Sequence, residues 1–218
     1  MDAITLHSNF DAASLVFSPV AKTSKGSKIV YISGPNNARL KIQTPVLSAP
    51  FGISSFDDVS SGGKSYSLDA SFKGYDSNAK IGGFLEKCRG FDERLLQEGT
   101  ANSKSWLGKA MGPELVAEFM RRCIREANDP AKYAPTMRLK ITPTTEFFDE
   151  HHNPCAMDYV TKGTSFRAII EVSSVYFVNK NFGVSFRIAQ LAVVNRPDRL
   201  NGFAFQGEDD EEEDAVEI

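Results

Sequence analysis

A mainly β fold of the α+β class is predicted, an OB-like Greek-key barrel elaborated by a helical insertion and followed by a disordered acidic C-terminal tail. Three observations predict it. Apolar and polar residues alternate with period two in both outer thirds of the 218 residues, a period of three to four occupies the middle, and no strand–helix–strand repeat appears. The expected organisation is one domain over residues 1–206, its helical insertion at about 77–128, and a tail over 207–218. An unrelated antiparallel α+β sheet is the alternative architecture.

The first third reads as strands. Residues 14–20 are apolar, and 28–33 (KIVYIS) are β-branched and aromatic. Gly34-Pro35-Asn36-Asn37 is turn chemistry, followed by 38–44 (ARLKIQT), where Leu40 and Ile42 alternate with Arg39 and Lys41. The spacing predicts a hairpin with its apolar pair in a core and its basic pair outside. After a second turn, residues 65–75 (SYSLDASFKGY) send Tyr66, Leu68, Ala70 and Phe72 one way and Ser67, Asp69, Ser71 and Lys73 the other.

The period then changes. From 78 to 98, Ile81, Phe84, Leu85, Cys88, Phe91, Leu95 and Leu96 recur at helical spacing. Pro113 opens a second helix at its first turn, with Glu114 beside its positive end. Its stripe is Leu115, Val116, Phe119, Met120, Cys123 and Ile124, and Asn128-Asp129-Pro130 closes it. The last third returns to strands. Residues 136–142 (TMRLKIT) place Met137, Leu139 and Ile141 inward and Arg138 and Lys140 outward; two long strands, 164–178 and 182–195, follow, joined by a short turn.

Composition excludes several classes. At 41% hydrophobic and 24% charged the chain is ordinary globular material. No apolar run reaches the roughly 18 residues of a membrane helix, and no membrane partner is expected. The first eleven residues have neither a basic nor a long apolar region, so no secretory signal is expected. Three separated cysteines, Cys88, Cys123 and Cys155, read as free thiols in a reducing, intracellular compartment.

The formal charge of -3 hides a division. Eight of the 28 carboxylates lie within 207–218, which holds no Lys or Arg, so 20 remain against 25 cations in residues 1–206. The body therefore carries about +5 and the tail about -8. A run of Asp209, Asp210, Glu211, Glu212, Glu213 and Asp214 is tipped by Val216 and Ile218. Such a strip solubilises a chain, and it can also occupy a positive groove in place of phosphates or dock on another protein.

No catalytic motif emerges. Gly62-Gly63-Lys64-Ser65 resembles the end of a phosphate-binding loop, but position 58 is Asp where that motif needs Gly, and a hairpin turn explains the stretch. Asp149-Glu150-His151-His152-Asn153-Pro154-Cys155 gathers metal-type side chains without the paired spacing of a zinc site, and reads as an exposed polar loop. Nothing identifies an enzyme, a metal or a cofactor.

What accumulates is basic and aromatic residues on strands and their turns. Arg39, Lys41, Lys73, Tyr75, Arg138, Lys140, Arg167, Lys180 and Arg187 supply cations and a ring. Phe177 shares a predicted face with Arg167, and is the expected exposed ring of the final hairpin. Trp106, between Lys104 and Lys109, is either a stacking platform or the anchor that docks the helices. Single-stranded nucleic acid needs this combination, because cations track phosphates while rings stack on unpaired bases, at roughly 1–3 kcal/mol per stack.

The C-terminal third carries a more specific signal. The order MRLKITP (137–143), an acidic loop and SVYFVNKNFGVSFRIAQLAVV (174–194) resembles the single-stranded DNA-binding proteins of nucleocytoplasmic large DNA viruses, the African swine fever virus member among them. Arg138, Lys140, Ile141, Pro143, Gly183, Val184, Ser185 and Phe186 carry the likeness, which covers about sixty residues. The tail is similar to those of phage single-strand binding proteins. The resemblance implies an OB-like barrel, binding without catalysis, and a role in viral replication, recombination or repair at a host nuclear or cytoplasmic replication site.

The expected function is therefore low-specificity single-stranded DNA binding, with the tail regulating it and recruiting replication proteins. RNA stays open as a partner, since no feature reads a 2′-hydroxyl. A long edge strand or the helical insertion could pair two copies as a homodimer. The alternative function is a structural or adaptor protein that uses the sheet and tail as interfaces.

Overall fold

Pro45 divides the first strand of a closed barrel in two, and the division shows how the barrel is assembled. A computed structural model describes residues 4–58 and 62–197. Its principal strands are β1 (Lys28–Ser33), β2 (Leu40–Gln43), β3 (Leu47–Ala49), β4 (Ile53–Asp58) and β5 (Gly63–Ser71) before the helices. The helices are α1 (Ala79–Ala101), α2 (Ser103–Leu107) and α3 (Pro113–Phe119). After them come β6 (Thr136–Ile141), β7 (Thr164–Val172), β8 (Ser174–Val178), β9 (Asn181–Val184) and β10 (Phe186–Asn195).

β2 and β3 both pair antiparallel with β7. Between them Pro45 has no N–H to give, and the Thr44 hydroxyl accepts the Ala168 N–H at 3.0 Å while the Thr44 N–H reaches the Ala168 carbonyl at 2.9 Å. β3 meets β5, β5 pairs antiparallel with β6, β6 pairs parallel with β10, and β10 pairs antiparallel with β7. Counting β2 and β3 as one strand, the closed order is first, second, third, fifth, fourth and back to first. That is an OB-like Greek-key barrel. Its interior is filled from alternating positions, among them Leu68, Ala70, Met137, Leu139, Phe166, Ile170 and Leu191, all buried.

Three expectations need correction. The turn 34–37 does not make a hairpin. β1 and β2 run in the same direction, antiparallel to consecutive stretches of one partner segment, with Tyr31 opposite Ser174 and Leu40 opposite Val172. The excursion between them closes on a Gly34 N–H to Ala38 carbonyl bond of 2.9 Å, with Asn36 and Asn37 at positive φ. Second, the segments 164–178 and 182–195 are not continuous strands. Each breaks: at Ser173 the chain leaves the barrel for a smaller sheet formed with β1, and at Ser185 it returns from that sheet to the barrel.

Third, the second helix stops at Phe119. Beyond it, Met120–Arg121 pairs parallel with β9 and Ile124–Arg125 pairs antiparallel with β6. The buried Asp92 carboxylate of α1 accepts the N–H groups of Cys123 and Ile124 at 2.8 and 3.2 Å, which a continuing helix would have kept for itself.

The three helices lie between β5 and β6, from Ala79 to Phe119. Asn78 caps α1 by accepting the Lys80 and Ile81 N–H groups at 3.0 and 3.4 Å. The buried stripe of α1 closes one side of the barrel, with the Phe84 ring 5.9 Å from Phe72 and Phe91 5.4 Å from Phe186. Burial of each such ring contributes roughly 1.5–3 kcal/mol. Among the described residues no helix is long and apolar enough to cross a membrane. The tail, with Asp209, Asp210, Glu211, Glu212, Glu213, Asp214, Val216 and Ile218, lies outside the described residues.

Candidate nucleic-acid interface

The outer face of β6, which pairs with β5, forms one wall of a trough, the β8–β9 hairpin forms the opposite wall, and the extended segment 120–125 runs between them. The cavity measures about 760 Å³ and is lined by Arg121, Arg122, Arg125, Arg138, Lys140 and the ring of Tyr176, among others. In an OB-like barrel this is the face of the second and third strands, flanked by the connection between the fourth and fifth. Strand alternation puts Arg138 and Lys140 there, because Met137 and Leu139 fill the barrel.

Tyr176 owes its position to a glycine. It stands opposite Gly183, and a Cβ on Gly183 would come within 2.7 Å of the Tyr176 hydroxyl and 3.0 Å of the Arg121 carbonyl. Without that Cβ the ring lies across β9 toward Arg121, whose own register partner is Gly183.

The charges in the trough are not equivalent. Arg138 grips Asp69 with two hydrogen bonds of 2.8 Å, and Arg125 approaches the same carboxylate at 3.8 Å. The Arg138 hydrogen bond holds the Asp69 carboxyl below its usual range, against the opposing effect of burial. Arg122 pairs with Glu93 at 3.0 Å. Arg121 and Lys140, both exposed, have no carboxylate partner among the described residues. They are the cations most available to a phosphate.

The row continues across the barrel. Lys140 stands opposite Arg187, Arg187 opposite Glu171, and Glu171 opposite Lys41. Arg187 donates to the Ser173 hydroxyl at 3.1 Å, and Lys41 pairs with Glu171 at 3.4 Å. Lys41 and Arg187 line a smaller depression of about 390 Å³.

The remaining candidates lie elsewhere. Arg39 is exposed just before β2, and Arg167 is exposed on the outer face of β7, four residues before Glu171. Lys73 is exposed in the turn after β5, while Tyr75 packs half-buried against the core. Lys104 is exposed on α2. Lys109 and Lys180 line a separate cavity together with Trp106 and Phe177.

One ring falls on the second of its two expected readings, and another changes. Trp106 is 4% exposed and packs edge-on against Phe177 and Phe182, with centroids 5.6 and 5.4 Å away. It is the anchor of the helices, not an open platform. Phe177 is half-buried against the same cluster rather than on the Arg167 face. The break at Ser173 is the reason, because buried residues run Phe166, Ala168, Ile170, Val172 and then Val175, so alternation resets by one.

Sequence reasoning missed Arg121, Arg122, Arg125 and Tyr176. Three arginines within five residues were the available signal, dispersed by reading the segment as helix. The exposed ring of Phe56 was missed as well. It stands on the same face of β4 as Ser54, which is opposite Ser67 and so in line with Lys140. Among the described residues no cluster of three or more His, Cys, Asp or Glu could hold a metal ion.

Fold and trough together define an OB-like barrel protein with a basic, ring-bearing outer face. The chain belongs to a family of unknown function (DUF5871), which matches residues 71–205. No curated protein matches the sequence. Among solved structures the chain is similar to the single-stranded DNA-binding protein from bacteriophage Enc34 in complex with ssDNA, at 10% identity and a TM-score of 0.45 over 85% of this chain and 98% of that one. It is also similar to gp2.5, a single-stranded DNA-binding protein encoded by bacteriophage T7, at 9% identity and a TM-score of 0.47, over 77% of this chain and 98% of that one.

Proposed function

We propose that the protein binds single-stranded DNA without catalysis and with little sequence preference, the strand lying in the trough between β6 and the β8–β9 hairpin. One observation carries the reading: Arg121 and Lys140 have no carboxylate partner among the described residues and line, with the Tyr176 ring, a depression walled by three further arginines. Cations so placed neutralise successive phosphates, and a ring between them takes an unpaired base. None of these groups reads a base edge in a fixed geometry, so discrimination among sequences is weak.

The proposed setting is DNA replication, recombination or repair, in a viral context at the host nucleus or a cytoplasmic replication site. The acidic residues of 207–218 would compete for the trough and recruit replication proteins. RNA is the competing ligand and a homodimer the competing assembly. Anisotropy titration of fluorescein-labelled oligo-dT, the matching oligo-rU and a duplex at two salt concentrations tests the reading. Tighter binding of the single strand, weakening steeply with salt, is the expected result; equal affinity for duplex or salt-independent binding would overturn it.

A further inference from the structure

Beyond Val178 the trough meets a second depression. Val178 is 56% exposed and lines both cavities. The second cavity, about 610 Å³, lies between the hairpin turn and the link from α2 to α3. Trp106, Phe119, Phe177 and Met111 supply its apolar lining, and Lys109 and Lys180 its charge. Lys28 also reaches it, but its ammonium is committed to the carbonyl oxygens of Ser105 and Trp106 at 2.8 and 3.1 Å. That bond ties α2 to β1 and holds the site open in advance of any ligand.

Resting on the reading above, we propose that this cavity seats an unpaired nucleobase of the strand that occupies the trough, with Lys109 and Lys180 on the phosphates at its mouth. Its volume falls within the roughly 300–1,000 Å³ of small-ligand sites, enough for a base and its sugar and too small for a duplex. The lining is flat-ringed and apolar, as a base face requires, while Asn179 at the turn offers an amide to a base edge. Charge separates a base from an acidic peptide. Two cations without a carboxylate partner among the described residues match the phosphates on either side of one base, whereas a strip such as 207–218, with eight carboxylates, would meet too few.

Trp106 is the chain's single tryptophan, so its emission reports this cavity directly. Full-length protein is titrated with oligo-dT of about four and about sixteen nucleotides, the bounds of single-strand site size per OB fold, and with an abasic strand of the longer length. The longer oligo-dT is expected to quench Trp106, the abasic strand to bind without quenching, and the Lys109→Glu/Lys180→Glu variant to bind the longer oligo-dT roughly tenfold more weakly. If anisotropy shows binding while Trp106 emission stays constant, the base seat is wrong and the trough reading stands. If no oligonucleotide binds, both fall. Quenching by a synthetic 207–218 peptide that oligo-dT cannot reverse would reassign the cavity to an acidic peptide and overturn the proposal.

Discussion

The Asp92 carboxylate accepts the Cys123 N–H at 2.8 Å, and through that bond the interior of α1 sets the direction of the arginines on the trough. Its second oxygen takes the Ile124 N–H at 3.2 Å, so residues 120–125 are held extended. Arg121 and Arg125 then point out of two short strands while Met120 and Ile124 point in.

Asp92→Ala leaves two buried N–H groups without partners and is expected to destabilise the fold by roughly 2–4 kcal/mol. Burial pushes the Asp92 carboxyl up, opposed by those two bonds. A group whose folded pKa is raised loses stabilising effect as pH climbs above its unfolded value, near 4. Urea unfolding across pH should therefore show wild type losing stability as pH rises above about 4, a dependence that the non-titrating Asp92→Asn variant lacks.

Charge reversal at Arg121 or Lys140 should weaken oligo-dT binding at least about tenfold and reduce the log–log salt slope by about one per residue. Lys162→Glu, on an exposed loop at the other end of the barrel, is the charge-matched control and should change affinity by less than about twofold. Equal losses at all three positions, measured by anisotropy, would mean that only overall charge matters.

Tyr176→Leu should cost roughly 1–3 kcal/mol of binding, the range for one base stack, while Tyr176→Phe keeps the affinity. Gly183→Ala should mimic Tyr176→Leu, because the added methyl meets the Tyr176 hydroxyl. Thermal melts separate this from loss of fold.

Asp69 restrains Arg138. Asp69→Asn should tighten oligo-dT binding a few-fold by releasing that guanidinium. The Asp69 carboxyl is depressed chiefly by its Arg138 hydrogen bond, so the pair's stabilising effect is complete above the usual carboxylate range and is lost as pH falls below about 4. Acid melts should show that loss in wild type and not in the variant.

Removing residues 207–218 should tighten binding, most at low salt where an acidic strip competes best. Unchanged affinity of the truncated chain would remove the competition.

Local alternation was legible wherever a strand stayed on one sheet. TMRLKI put Met137 and Leu139 inside and Arg138 and Lys140 outside, as found. Helix α1 was legible too, from its stripe and the cap at Asn78. What failed depended on contacts distant in sequence. The break at Ser173 moves Phe177 and Tyr176 to opposite roles, and no local pattern announces it. Met120, Cys123 and Ile124 fit a helical stripe, yet Asp92, some thirty residues earlier, claims the backbone N–H groups of Cys123 and Ile124. Gly183 was visible in the sequence beside its hairpin turn, but its effect, room for the Tyr176 ring, needed β9 in place.

The most direct test is the salt dependence of oligo-dT affinity for wild type and an Arg121→Glu/Lys140→Glu double variant. The account expects a steep wild-type slope, perceptibly reduced in the variant by about two phosphates' worth of counterion release, with duplex bound more weakly throughout. Identical slopes for the two proteins, or a duplex bound as tightly as the single strand, would contradict it.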